Sequence, residues 1–243
     1  LMDNSFSIKV DGTGEEFSVA SNPVDTLLGA ALRQGLGFPY ECNSGGCGSC
    51  MFEVVSGEVK ELWPEAPGLS ARARERGRRL ACQCEPTSDC VIKVRLKDDY
   101  VPLRRPERVA ATLVEARKLT HDLTEFCFQT PEPADFLPGQ FASLHLPGVE
   151  GARAYSMSNL PTDGGTWNFI IRHVPKGRGT AVLFSQLKTG DQIEIDGPYG
   201  LAYLRPESPR DIVCIGGGSG LSPMVSIVRA AVRDPRLANR KIT

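Results

Sequence analysis

The twelve residues Pro39-Tyr40-Glu41-Cys42-Asn43-Ser44-Gly45-Gly46-Cys47-Gly48-Ser49-Cys50 place three cysteines at the spacing C-x4-C-x2-C, and Cys82 follows 32 positions after Cys50. Thiolates are soft, charge-rich ligands that stabilise ferric iron, and four of them close two tetrahedral irons bridged by two sulfides. A loop wrapping such a cluster must turn tightly. Gly45, Gly46 and Gly48 can adopt positive φ and bring backbone N–H groups toward the sulfurs. The spacing therefore points to a plant-type [2Fe–2S] centre on Cys42, Cys47, Cys50 and one cysteine of Ala81-Cys82-Gln83-Cys84, with Cys82 and Cys84 both open as the fourth ligand. A structural zinc site favours two short paired spacings, which the x4 gap and the glycines match poorly. Disulfides among the eight cysteines would suit a short secreted chain rather than this one. Cys90, Cys127 and Cys214, and Cys84 if it is not a ligand, read as small buried apolar residues.

The flanks of the cysteine loop read as a small α+β domain. Residues 3–10 and 15–20 alternate apolar and polar around the turn signal DGTG, the pattern of a hairpin. Asp25 is expected to cap a helix over TLLGAALRQG that stops at Gly35. Strand-like MFEVVSGEV, an Arg-rich stretch, ACQC and VIKVRL complete residues 3–97. Residues 98–107 (DDYVPLRRPE) have the charge and proline content of a linker. Over 108–207, six strand candidates with Gly and Pro in every gap suggest an antiparallel barrel or sandwich. From 208 to 243 an apolar strand, a Gly-rich turn and an amphipathic helix open a βαβ unit.

Composition removes several classes of function. At 41% hydrophobic, 23% charged and a formal charge of −1, the chain is no nucleic-acid coat and carries no polybasic membrane anchor. No apolar run reaches the roughly 18 residues that span a bilayer. The start LMDNSFSIKV lacks the basic-then-apolar order of a secretory signal, so a cytoplasmic address is expected.

Two further motifs suit cofactors. In Arg153-Ala154-Tyr155-Ser156-Met157-Ser158 an arginine fork suits a pyrophosphate, an aromatic ring an isoalloxazine, and the Ser156 hydroxyl the flavin nitrogen N5. Ile171 and Arg172, followed by Gly177-Arg178-Gly179-Thr180 before a helix-like segment, supply a second phosphate-binding turn. Gly197-Pro198-Tyr199-Gly200 closes the segment. Gly216-Gly217-Gly218-Ser219-Gly220-Leu221-Ser222-Pro223 then follows a strand and opens a helix, an arrangement that lets backbone and helix N-terminus meet a pyridine nucleotide pyrophosphate. Gly218, Ser219, Gly220, Ser222 and Pro223 are its candidate contacts.

Taken together, PYECNSGGCGSC, LACQC, RAYSMSN, GPYG and GGGSGLSPM resemble the reductase components of bacterial multicomponent aromatic-ring oxygenases over essentially the whole chain. The resemblance implies a β-grasp ferredoxin domain, a six-stranded antiparallel flavin barrel and the start of a Rossmann-like nucleotide domain. It implies Cys82 as the fourth ligand, FAD rather than FMN, and Ser156 at the flavin. It also implies electron flow from NADH or NADPH through FAD and the cluster to a Rieske ferredoxin or the terminal oxygenase. Two other readings compete: an electron carrier without its own NAD(P)H activity, and the reductase of an alkane or alkene monooxygenase. The Arg72, Arg74, Arg76, Arg78 and Arg79 run reads as a solvated helix face or as a guide for an acidic redox partner. His121, His145 and His173 read as structural. One βα unit cannot close a doubly wound sheet, so NADH-dependent reduction is expected to be weak or absent in the 243-residue form and present in a longer one. Stopped-flow traces with equal rates in both forms would overturn this.

Overall fold

The computed structural model describes residues 5–243, and the first two residues of the expected hairpin, 3 and 4, lie outside it. Contacts divide the chain into two compact units, one ending at Pro106 and one beginning at Glu107.

In the first unit, β1 (Ser5–Val10) and β2 (Glu16–Ala20) form the expected hairpin, with Ile8 opposite Phe17 and Phe6 opposite Val19. Alternation places Ile8, Val10, Phe17 and Val19 on one buried face. Helix α1 (Leu27–Arg33) lies on that face, and its residues Leu27 to Leu32 are all buried. Its cap is Thr26, one residue later than expected: the Thr26 hydroxyl accepts from Gly29 N–H at 3.0 Å. Asp25 instead accepts from Thr26 N–H and pairs with Arg33 Nε, each at 2.8 Å. Strands β3 (Met51–Ser56), β4 (Val59–Glu61), β5 (Arg78–Leu80), β6 (Cys84–Pro86) and β7 (Cys90–Lys93) follow, with a short helix α2 (Ala71–Glu75) before β5. The main sheet runs β2-β1-β7-β3-β5, and β4 pairs with β6 in a small second sheet. Its first and last strands pair in parallel, Ile8 beside Cys90. This is the β-grasp arrangement, in which a sheet curls around one helix.

The second unit holds β8 (Glu107–Lys118), β9 (Leu123–Gln129), β10 (Phe141–His145), β11 (Arg153–Ser156), β12 (Thr166–Arg172) and β13 (Gln192–Tyr199). They form one antiparallel sheet in the order β11-β10-β13-β8-β9-β12. A bridge between Met157 and Phe169 brings the two edges together into a nearly closed barrel. Inward residues including Leu113, Phe126, Phe128, Leu144, Phe169 and Ile195 fill its core. Helix α3 (Arg178–Ala181) continues into a wider turn over Val182–Gln186 and covers one end with Val182 and Leu183. Helix α4 (Leu221–Ala231) follows the Gly-rich turn. The parallel bridge Ile212–Ile242 starts the expected βαβ pairing.

Removal of a hydroxyl N-cap costs about 1 kcal/mol. Thr26→Ala is therefore expected to lower the urea midpoint of the first unit while Thr26→Ser leaves it nearly unchanged, as measured by circular dichroism.

Candidate functional site

In the first unit the four sequence-selected cysteines fall into two pairs. The 3₁₀ turn Ala81–Gln83 carries Cys82 to 3.4 Å from Cys50, sulfur to sulfur. Cys42 and Cys47 form the other pair, joined by hydrogen bonding around the loop. Cys50 and Cys82 are buried, Cys42 is half-buried and Cys47 is exposed. Cys84 lies one residue beyond the turn in β6, opposite Glu61. There burial, with the Glu61 carboxylate beside it, pushes its thiol up to about 12.

The sulfurs are set among donors. Ser44 N–H donates to Cys42 and Ser49 N–H to Cys47, each at 3.4 Å, and the Gln83 amide donates to Cys82 at 3.8 Å. Burial works against ionisation of Cys42, but the hydrogen bonds from Ser44 and Cys47 outweigh it and bring that thiol down to about 7. Cys50 and Cys82 act as a unit: their mutual hydrogen bond lowers Cys50 and, together with burial, raises Cys82. No three His, Cys, Asp or Glu side chains among the described residues converge on a point that a single metal ion would take. A two-iron cluster divides its thiolates into pairs, and the donor set fits that group.

Gly45 and Gly48 use that freedom, with φ of +81° and +79°, and Gly46 does not; Asn43, at +48°, takes the other left-handed position. Asparagine tolerates that region because its short polar side chain bonds locally. The loop is backed by the 62–69 segment: Gly68 N–H donates to Gly45 O at 2.9 Å. A Cβ on Gly48 would stand 2.5 Å from Gly68 O.

The arginine run is partly used internally. Arg74 and Arg79 both pair with Glu61, at 2.5 and 2.8 Å, and Arg78 pairs with Glu53 at 3.3 Å. Arg72 and Arg76 are exposed beside Met51, Pro67 and Gly68. Of the cysteines read as buried, Cys84 and Cys90 are, whereas Cys127 and Cys214 are half-exposed.

In the second unit, β11 and the turn before α3 meet. The Arg153 side chain passes over Gly179, where a Cβ would stand 3.0 Å from Arg153 Cγ. Its Nη1 donates to the carbonyls of Glu150, Gly151 and Ala152, which fixes the fork. Tyr155 is half-buried against the barrel core, and burial raises its phenol. Thr180 Oγ1 donates to Val174 O and Gly177 O and accepts from Val174 N–H, holding the 174–180 turn. Arg178 is exposed beside it. This cradle of a fixed guanidinium, an aromatic ring and a close-packed glycine fits a flavin dinucleotide. Met157 and Ile171 are fully buried in the core, which leaves their backbone alone for a cofactor. Arg172 Nε donates to Asp122 at 2.7 Å, and its stem lies 3.8 Å from where a Gly218 Cβ would be. Gly218, Ser219 and Gly220 are exposed, Pro223 is half-buried, and Ser222 is buried with its hydroxyl committed inside the fold. Two buried arrangements had no sequence signal: Ser158 Oγ donating to Glu125 at 2.9 Å, and the polar face of α4.

A β-grasp unit with paired cysteines, joined to an antiparallel barrel with an arginine–tyrosine cradle, defines an iron–sulfur flavoprotein. The 2Fe-2S iron-sulfur cluster binding domain family matches residues 8–87, and the oxidoreductase FAD-binding domain family matches residues 110–203. A ferredoxin–NAD(P)+ reductase of Metapseudomonas resinovorans is 50% identical over 86% of this chain and 64% of its own length. The ferredoxin–NAD+ reductase component of an alkene monooxygenase system in Xanthobacter autotrophicus is 47% identical, over 90% of this chain and 66% of that protein. The chain thus spans slightly less than two thirds of both relatives. Among solved structures, the ferredoxin reductase in carbazole 1,9a-dioxygenase superposes with a TM-score of 0.90 at 44% identity, covering 95% of this chain and 72% of that one. The chain belongs to the family of ferredoxin reductase components of multicomponent oxygenases.

Gly48→Ala is expected to lower iron and sulfide content sharply, because the backbone of Gly68 blocks the new methyl group. Gly77→Ala shares a positive φ of +76° but meets nothing within 4 Å. Its iron content is expected to match the parent's, with only a modest loss of stability.

Proposed function

We propose that the chain passes electrons from NADH or NADPH through FAD and a [2Fe–2S] cluster to a Rieske ferredoxin or terminal oxygenase that acts on aromatic rings. The observation that carries this reading is the pairing, in one chain, of a four-cysteine loop with an FAD-type barrel. A flavin, when bound, converts a two-electron donor into a source for a one-electron acceptor. The protein's own residues then hold and insulate. Cys42, Cys47, Cys50 and Cys82 ligate the cluster, and the Ser44, Ser49 and Gln83 donors tune it by offsetting thiolate charge.

On the barrel, the Arg153 fork holds the pyrophosphate and the Tyr155 ring lies against the isoalloxazine. Ser156 supplies a hydrogen bond at N5, and the Gly177–Thr180 turn takes phosphate oxygens. Arg172 and the exposed residues Gly218 to Gly220 receive the nucleotide, with no general acid or base required. The working division is residues 3–97 for the cluster, 98–107 as linker, 108–207 for FAD and 208–243 for the nucleotide. The break before Glu107 and the matched spans support the separation of the cluster and FAD parts, while 208–243 falls in the same compact unit as the barrel. No helix among the described residues is long and apolar enough to cross a membrane, and a cytoplasmic address is proposed. The Xanthobacter relative supports a second reading, reduction of an alkene monooxygenase.

The visible spectrum of untreated protein, with extraction of its flavin, is the test. Broad iron–sulfur bands over a flavin spectrum and FAD in the extract are expected, and a colourless zinc protein would sink the reading. Partner exchange between aromatic-ring and alkene oxygenases then separates the two acceptors. Cys82→Ser is expected to abolish the iron–sulfur bands while Cys84→Ser keeps them. The reverse result would transfer the fourth ligand to Cys84.

A further inference from the structure

Helix α4 carries Ser222, Ser226 and Arg229 at i, i+4 and i+7, a spacing that lines one helix face. All three donate to carbonyls of the short segment 156–159, which starts at the last residue of β11. Ser222 Oγ donates to Ser156 O at 2.7 Å, Ser226 Oγ to Asn159 O at 2.7 Å, and Arg229 Nη1 to Ser158 O at 3.1 Å. The Ser222 contact differs in kind. Its hydroxyl also accepts from Ile170 N–H at 3.2 Å, and the residue is 1% exposed. The antiparallel bridge between Met157 and Phe169 sets Ile170 N–H opposite the Ser156 carbonyl. Ser222 therefore stands inside the seam where the two edges of the barrel meet, on the backbone of the residue proposed to face flavin N5.

We propose that Ser222 is a positioning residue for Ser156, and that it ties the conformation of the Gly216–Gly220 turn to the flavin-facing strand. The inference rests on the FAD reading above. With the hydroxyl gone, the Ser156 carbonyl and Ile170 N–H either close on each other or lose a partner, and both results displace Ser156. The turn ends only one residue before α4 begins at Leu221. A pyrophosphate that settles on the turn thus reaches the flavin strand through Leu221 and a single hydroxyl. Ser226 makes a bond of equal length to Asn159 O on one side of the seam, where Ser222 bonds both sides, and so serves as the comparison.

The test is a set of Ser222→Ala, Ser222→Thr and Ser226→Ala variants, loaded with FAD, each examined for flavin absorption, flavin midpoint potential and thermal midpoint. Ser222→Ala is expected to alter the ratio of affinities for oxidised and reduced FAD by about tenfold, equivalent to about 30 mV for a two-electron couple. Ser222→Thr, which keeps the hydroxyl, should restore the parent's potential and spectrum. Ser226→Ala should lower the thermal midpoint with the potential unmoved. If Ser222→Ala fails to fold, Ser222→Cys keeps the size with a weaker donor and is read the same way. A parent-like potential and spectrum in the Ser222 variant, with only a thermal loss like that of Ser226→Ala, would overturn the proposal and leave a structural clamp. Failure of the parent chain itself to take up FAD would overturn the underlying flavin reading instead.

Discussion

A six-stranded antiparallel sheet has two edges, and each leaves a row of unpaired N–H and C=O groups that must be covered or joined. In the second unit these edges are β11 and β12, and nearly everything proposed for the flavin depends on how they meet. The strands on either side of the seam carry Arg153, Tyr155 and Ser156 on one edge and Ile171 and Arg172 on the other. Direct pairing is limited to the Met157–Phe169 bridge, with Ser158 N–H on Asn168 O at 2.8 Å. Side chains complete the closure: Asn159 accepts from Asn168 N–H and donates to Thr166 O, and Ser222 fills the next position. The cradle is thus precise where a sheet edge would ordinarily be loose.

The cluster loop obeys a different constraint, the exclusion of side chains. Gly48 and Gly68 approach so closely that neither tolerates a Cβ: one on Gly68 would stand 2.6 Å from Gly48 N and 2.7 Å from Gly45 O. This contact presses the 62–69 segment against the loop, whose Ser44 and Ser49 amides donate to Cys42 and Cys47. Exposure is graded across the four cysteines, from exposed Cys47 to buried Cys50 and Cys82.

Much of this was legible in the sequence, for a physical reason. Strand alternation and turn residues are local signals, so the hairpin and all six barrel strands could be read within a few residues. The cysteine spacing is also local, and it selected Cys42, Cys47 and Cys50, which the structure brings into one loop, without any knowledge of the fold. What escaped depended on contacts between distant segments. Asp25 and Thr26 are both good caps, and only the pull of Arg33 on Asp25 decides between them. Gly46 lies in a run of glycines, yet Asn43 takes the left-handed turn. Ser222 follows a Gly-rich turn and reads with it as a nucleotide contact, while its hydroxyl answers to backbone 52 and 66 positions away. Glu61 gathers two arginines from a run that, seen alone, reads as a solvated face.

Because the seam is finished by a side chain at position 222, the order of synthesis matters. The last barrel strand ends at Tyr199, and Ser222, Ser226 and Arg229 leave the ribosome after it. At about 5–20 residues per second, the nascent barrel waits a second or more with its edges joined by one bridge and the Asn159 side chain but without Ser222. During that interval the incomplete seam keeps part of a sheet edge unpaired, the kind of edge on which strands of a neighbour can add. Arrival of α4 then adds the Ser222 hydroxyl to the seam, so a helix made after the barrel completes a closure that the barrel's own strands begin.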